Sequence, residues 1–131
     1  MGKTAKGIAA VLLTCVWVNA SEFLRNEVVF KSYWVDHYRS LGLTFPSEPV
    51  NGMLWGLWGL LFSVAVFLIS RKLPLLHTAF LAWFTGFVLM WVVIFNLGVL
   101  PAALLAYAVP LSMLEAFVAA YLCVKIAPAA Q

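Results

Sequence analysis

Four apolar runs, each close to the thickness of a bilayer, constrain this chain more than any other feature. One crossing takes ~20 helical residues, and the runs fall near 6–28, 50–70, 75–98 and 101–125 of a 131-residue sequence. Only 10% of the residues are charged and 65% are hydrophobic, against about a quarter charged in soluble domains. A chain of this kind takes lipid as its solvent. Without water, every backbone N–H and C=O must be bonded internally, which leaves helices or a closed barrel. No alternation of polar and apolar residues at period two is present, so the barrel is set aside. The expectation is an all-α polytopic membrane protein, an antiparallel four-transmembrane-helix bundle forming a single domain over 1–131.

Charge position orients the bundle. Lys3, Lys6, Arg71, Lys72 and Lys125 fall on one side, whereas Arg25, Lys31 and Arg39 fall on the other, diluted by acids. The positive-inside rule puts both termini in the cytoplasm, and a bacterial inner membrane is the expected location. The net charge of +3 is therefore a topology signal and no nucleic-acid surface. Lys3 and Lys6 followed by Gly7 to Ala20 also fit a signal peptide with a cleavage site at Val18-Asn19-Ala20. An uncleaved first helix is the reading taken.

The long connection after helix 1 carries Phe30, Tyr33, Trp34, Tyr38 and Leu41 at helical spacing, with Lys31, Asp36 and Arg39 between them. This pattern predicts an outer amphipathic interfacial helix within 29–45, closed by Gly42. Ser47 is expected to cap the next helix, and Pro101 to open the last. A loose tail is expected from Ala127 to Gln131.

Glu115 is the residue that most invites chemistry. It lies ~21 Å of helix rise beyond Pro101, inside the hydrocarbon, where a carboxylate costs several kcal/mol unless paired, hydrogen-bonded or protonated. It is either a proton, cation or ligand site, or a structural acid bonded to Ser63, Thr14, Thr85 or the Ala106 carbonyl that Pro110 leaves free. Pro110 is also a candidate for helix bending. A second polar group gathers at the outer end: Asn19, Ser21, Glu22, Arg25 and Asn26 from helix 1, Asn51 from helix 2 and Asn96 from helix 3. Glu22 and Arg25, three apart, share a face, and together with Asn19 and Asn96 they would line a polar vestibule. Solvated helix ends are the plainer account of Arg25, Asn26 and Asn51.

Other residues argue against familiar chemistries. His37 and His77 fall on opposite sides of the bilayer, which disfavours a bis-His haem, and Cys15 and Cys123 have no metal-ligand or disulfide spacing. No metal site and no particular cofactor is indicated. Gly52, Gly56 and Gly59 give helix 2 a small-residue stripe suited to close helix approach. Trp17, Trp83 and Trp91 lie too deep for the interfacial belt and face lipid, a helix or a ligand.

Phe30-Lys31, then Trp34, then Leu41-Gly42-Leu43, followed by three closely spaced crossings, resemble the domain-of-unknown-function 1761 family of small four-helix bacterial membrane proteins. Glu22, Arg25, Glu27 and the polar interval to Pro49 depart from that pattern. The resemblance implies a fold and no activity.

The leading functional expectation is a transport or hydrophobic-ligand or ion-binding module, with Glu115 at its centre, Asn19, Glu22, Arg25 and Asn96 at its outer mouth, and Pro110 permitting movement. A non-catalytic accessory or assembly subunit is the alternative. A membrane-embedded enzyme ranks last, because no nucleophile and base pair or cofactor fingerprint occurs. The lipid bilayer is the expected partner, with a homo-oligomer or larger membrane assembly.

Overall fold

The computed structural model describes residues 1–129, and those residues fold without a strand. Four helices are long and apolar enough to cross a membrane: α1 (Lys3–Val29), α3 (Pro49–Ser70), α4 (Leu75–Asn96) and α5 (Ala102–Ile126). Between the first two lies α2 (Lys31–Ser40). It is shorter at both ends than the 29–45 anticipated, because residues up to Val29 continue α1 and the chain beyond Gly42 is irregular. Gly42 takes φ +71°, the left-handed geometry in which a helix end is closed at least cost.

Caps differ in detail from the sequence reading. Glu48, not Ser47, caps α3: its side chain accepts the backbone N–H of Asn51, and the Asn51 side chain accepts the Glu48 N–H at 3.0 Å. Both orphan amides are thereby satisfied, and Pro49 at the first helical position has none to satisfy. Pro101 precedes a single 3₁₀ turn, Ala102–Leu104, that opens α5. Ala127 is buried and its carbonyl accepts a hydrogen bond from Arg71, so the anticipated tail does not begin there. Ala130 and Gln131 of that tail lie outside the described residues.

Helix α5 packs against α1, α3 and α4. It can do so because the face it buries beyond its first turn is Ala108, Ser112, Ala116, Ala119, Ala120 and Cys123, all small, with Glu115 the large exception there. Small residues let backbones approach where water supplies no drive between helices. Helix α1 answers with Ala10, Thr14 and Val18, spaced four apart. Indole N–H groups tie α5 on two sides: Trp17 donates to the Glu115 backbone carbonyl at 3.0 Å, and Trp83 to Ser112 Oγ at 2.9 Å. Trp17 and Trp83 thus face a neighbouring helix, while Thr14 Oγ1 and Cys123 Sγ lie 3.4 Å apart in the seam between α1 and α5.

Glycines on α3 do not act as one stripe. At Gly59 a Cβ would lie 2.5 Å from Asn19 Nδ2, so this glycine admits α1, whereas Gly52 and Gly56 meet nothing within 4 Å. On α4, a Cβ at Gly86 would lie 2.9 Å from Cδ2 of Phe62, with Cε2 closer still. Phe62 is held there by stacking on Trp58 at 5.0 Å and by the edge of Phe87 at 5.5 Å. Gly86→Ala should therefore destabilise the protein by about 1–2 kcal/mol despite alanine's better helix propensity. Gly52→Ala should be neutral or stabilising. Unfolding in mixed detergent micelles, followed by circular dichroism, measures both, and equal effects would contradict this packing.

Candidate functional site

Two helices change pitch at matching places. Leu24–Val29 in α1 and Phe84–Val88 in α4 are π-turns, marked by the Phe30 N–H to Arg25 carbonyl bond at 2.9 Å and by the Leu89 N–H bonded to the Phe84 carbonyl. Such turns cost hydrogen-bond geometry and recur at functional sites. Here each carries a buried residue that meets the other: the Arg25 guanidinium lies over the Phe87 ring, 5.4 Å from its centroid.

Arg25 also pairs with Glu22 one turn earlier, both side chains being less than a tenth exposed. Each oxygen of the Glu22 carboxylate accepts a hydrogen bond, Oε1 from Arg25 and Oε2 from Asn26 Nδ2 at 2.8 Å. Asn26 in turn accepts the Trp34 indole N–H at 3.1 Å, so a polar chain runs from α2 into the core of α1. One guanidinium nitrogen, Arg25 Nη1, is buried with no partner among the described residues.

Glu115 enters this cluster from α5. It is fully buried, and its neighbours are Glu22, Ser21 and Arg25. Neither carboxyl oxygen receives a hydrogen bond from the described residues. None of the partners anticipated for it is used: Ser63 donates to the Gly59 carbonyl, Thr85 to the Leu81 carbonyl, and Thr14 meets Cys123. The reason is register, since the small faces of α1 and α5 bring Glu115 level with Ser21 and Glu22. Pro110 lies inside α5 on its exposed side, away from the cluster.

Above the cluster is a cavity of about 830 Å³, open on one side. Asn19, Glu22, Arg25 and Asn26 form its polar floor, Glu27, Lys31, Ser47, Glu48 and Asn51 add further polar lining, and Trp55, Trp58, Met90 and Trp91 make much of its apolar wall. Gly52 and Gly56 line it, and their missing side chains widen it. Helix α2 and the segment after it roof it through Trp34, Tyr38 and Phe45, whose rings pack at 6.0 Å (Trp34 to Phe45) and 5.3 Å (Tyr38 to Phe45). At the rim Lys31 pairs with Glu27 at 3.0 Å. The volume and the ratio of wall to polar groups are those of a small-molecule pocket.

Of the sequence candidates, Asn19, Glu22 and Arg25 line this cavity, Glu115 lies behind it, and Asn96 is exposed and takes no part. Asn26 and Asn51 of the outer polar group and Trp91 line the cavity as well, whereas Met90 carried no signal in the sequence. His37 is a latch: its Nε2 hydrogen-bonds the Gly98 carbonyl at 2.7 Å, joining α2 to the turn between α4 and α5. His77 is exposed at the start of α4. Among the described residues, no three or more His, Cys, Asp or Glu side chains gather as a metal site would require.

The Glu22 and Arg25 pair makes a sharp energetic statement. Removing one partner of a buried ion pair strands the other, at about 3–5 kcal/mol, whereas replacing both by apolar groups costs far less. Arg25→Met, which leaves Glu22 facing Glu115 with no cation between them, should destabilise by that amount, and Arg25→Met combined with Glu22→Leu by less than Arg25→Met alone. Additive losses in a double-mutant cycle would show that the pair is not coupled.

No family model matches this chain, and no curated protein or solved structure is found to be similar to it.

Proposed function

We propose that the chain is a small integral membrane protein that binds a hydrophobic ligand in the cavity beneath α2, as a transport or ligand-binding module. In this reading the four long helices cross the bilayer as an antiparallel bundle with both termini in the cytoplasm, and α2 lies as an amphipathic helix on the outer surface. The observation that carries the reading is the cavity itself, apolar in its wall and ending on a buried, charged floor. Its support from charge is arithmetic. Glu22 and Glu115 together outnumber Arg25, so the cluster formed by the floor and the residue behind it holds one more acid than base, and a proton or a bound cation restores neutrality. Glu115 is then the group that links occupancy of the cavity to proton or ion movement.

A partner's helix in the same groove is the competing reading, favoured by the open glycines Gly52 and Gly56. The two readings part on what accompanies the purified protein. Gly56→Leu fills the cavity from a position with free space around it, so folding should be unaffected. Native mass spectrometry should find a small lipophile at about one per chain on the unaltered protein, reduced about tenfold or more in the variant. A co-purifying polypeptide in place of a lipophile, or equal occupancy in both, would overturn the ligand reading.

Glu115→Gln keeps the shape and removes the extra acid. It should leave stability within about 1 kcal/mol while reducing ligand binding or flux in proteoliposomes, and unchanged binding and flux would take Glu115 out of the mechanism.

A further inference from the structure

We infer that Glu22 and Glu115 hold a single proton between them, the Glu115 carboxyl donating it to the Glu22 carboxylate, and that this proton comes and goes through the cavity. The inference deepens the reading above by choosing a proton over a bound cation, and rests on that reading for the cavity alone.

Register brings the two acids level. Thr14 meets Cys123 across the seam and the Trp17 indole reaches the Glu115 carbonyl, so residue numbers rise along α1 as they fall along α5. Eight residues on from Thr14 is Glu22, and eight back from Cys123 is Glu115. Each is about 12 Å of helix rise from the same contact. Both acids are buried, Glu115 completely.

Charge then decides the form. Among the described residues, the buried ionisable side chains are Glu22, Arg25, Glu115 and Cys123. Helix α1 presents Glu22 and Arg25 to Glu115, Cys123 lies farther along α5 against Thr14, and α3 and α4 bury no ionisable group. One guanidinium offsets one carboxylate, and its ion pair is with Glu22. No hydrogen bond from the described residues reaches either oxygen of Glu115. A second carboxylate there would be repelled by the first and left without solvation, so one of the two acids carries a proton.

Geometry gives that proton its place. An ionised carboxylate has about four lone-pair sites, and Glu22 accepts from Arg25 and Asn26, which leaves it able to accept from a Glu115 O–H as well. With the proton on Glu115 the Glu22 and Arg25 pair stays intact, and an orphaned oxygen becomes a donor with an acceptor beside it. A hard metal cation would need several oxygen ligands, and no three His, Cys, Asp or Glu side chains gather among the described residues. Glu22 lines the cavity with a small part of its side chain accessible, whereas Glu115 does not line it. A proton leaving Glu115 therefore passes to Glu22 and from there to water or an occupant of the cavity, and returns the same way.

The test is infrared spectroscopy of the full chain at neutral pH in maltoside micelles, which have no ester carbonyl, with tetramethylammonium as the buffer cation. The C=O stretch of a protonated carboxyl group should be present and should shift in D2O. It should be lost in Glu115→Gln and equally in Glu22→Gln, since one acid then faces one guanidinium. In Arg25→Gln, where neither acid has a cation, it should be roughly doubled. Where Glu22→Gln folds poorly, band position on the unaltered chain decides, because a carboxyl that donates to a carboxylate absorbs below one that donates to nothing. A missing band, a band at the free-acid position, or one that survives Glu115→Gln or Glu22→Gln in folded protein would overturn the shared proton. A band that fades when sodium replaces tetramethylammonium would give the place to a cation, and one unmoved in D2O would overturn access from the cavity. The lipophile count by native mass spectrometry is independent of all these outcomes, so the cavity reading stands or falls separately.

Discussion

Close approach of three helices to the small-residue face of α5 is the constraint on which the other features depend. Ala108, Ser112, Ala116, Ala119 and Ala120 leave no side chain to hold neighbours off, and in a chain this apolar it is contact between surfaces, not exclusion of water, that holds helices together. Polar atoms in the seams are few and are spent on orientation. Two indole N–H groups index α5 against α1 and α4, and the hydroxyl and thiol of Thr14 and Cys123 fill a place too tight for a larger pair. Because these contacts set the register, they also decide which groups come level with Glu115.

That consequence is costly. The register puts two carboxyl groups beside one guanidinium in the interior, where unpaired charge is expensive. A purely structural bundle gains nothing from such an arrangement, since apolar residues of the same size would pack at lower cost. The surrounding aromatic residues offset part of it: Phe87 places its ring face under Arg25, and Asn26 with Trp34 extends the hydrogen-bonded chain toward the surface. Two π-turns, one under each half of the Arg25 and Phe87 contact, are the backbone's contribution.

The sequence made the four long apolar helices plain, because length and hydropathy are properties of one segment at a time. The sharing of a face by Glu22 and Arg25 was equally readable, being a matter of spacing within one helix. Relations between helices were not. Glu115 was expected beside Ser63, Thr14 or Thr85 and instead meets Ser21 and Glu22, a difference of register that depends on how alanines nest. Asn96 seemed as good a vestibule residue as Asn19, yet one sits at an exposed helix end and the other fills the gap left by Gly59. The cap of α3 shifted from Ser47 to Glu48 because a reciprocal bond with Asn51 was open to glutamate. Neither π-turn was legible in the sequence, where both segments read as ordinary apolar helix.

The two ends of the bundle are fastened differently. At the end away from α2, the Arg71 guanidinium covers the Phe67 ring at 4.7 Å and bonds the Ala127 carbonyl, riveting the close of α3 to the close of α5. At the other end, α2 is moored by Trp34 to α1, by His37 to the turn before α5, and by Phe30 stacked on Tyr107 at 5.2 Å. None of those moorings crosses to α3. The bundle is thus riveted between α3 and α5 at its foot, whereas at its head these ties run from α2 and its flank to α1, to the turn before α5 and to α5 itself, leaving α3 outside the knot.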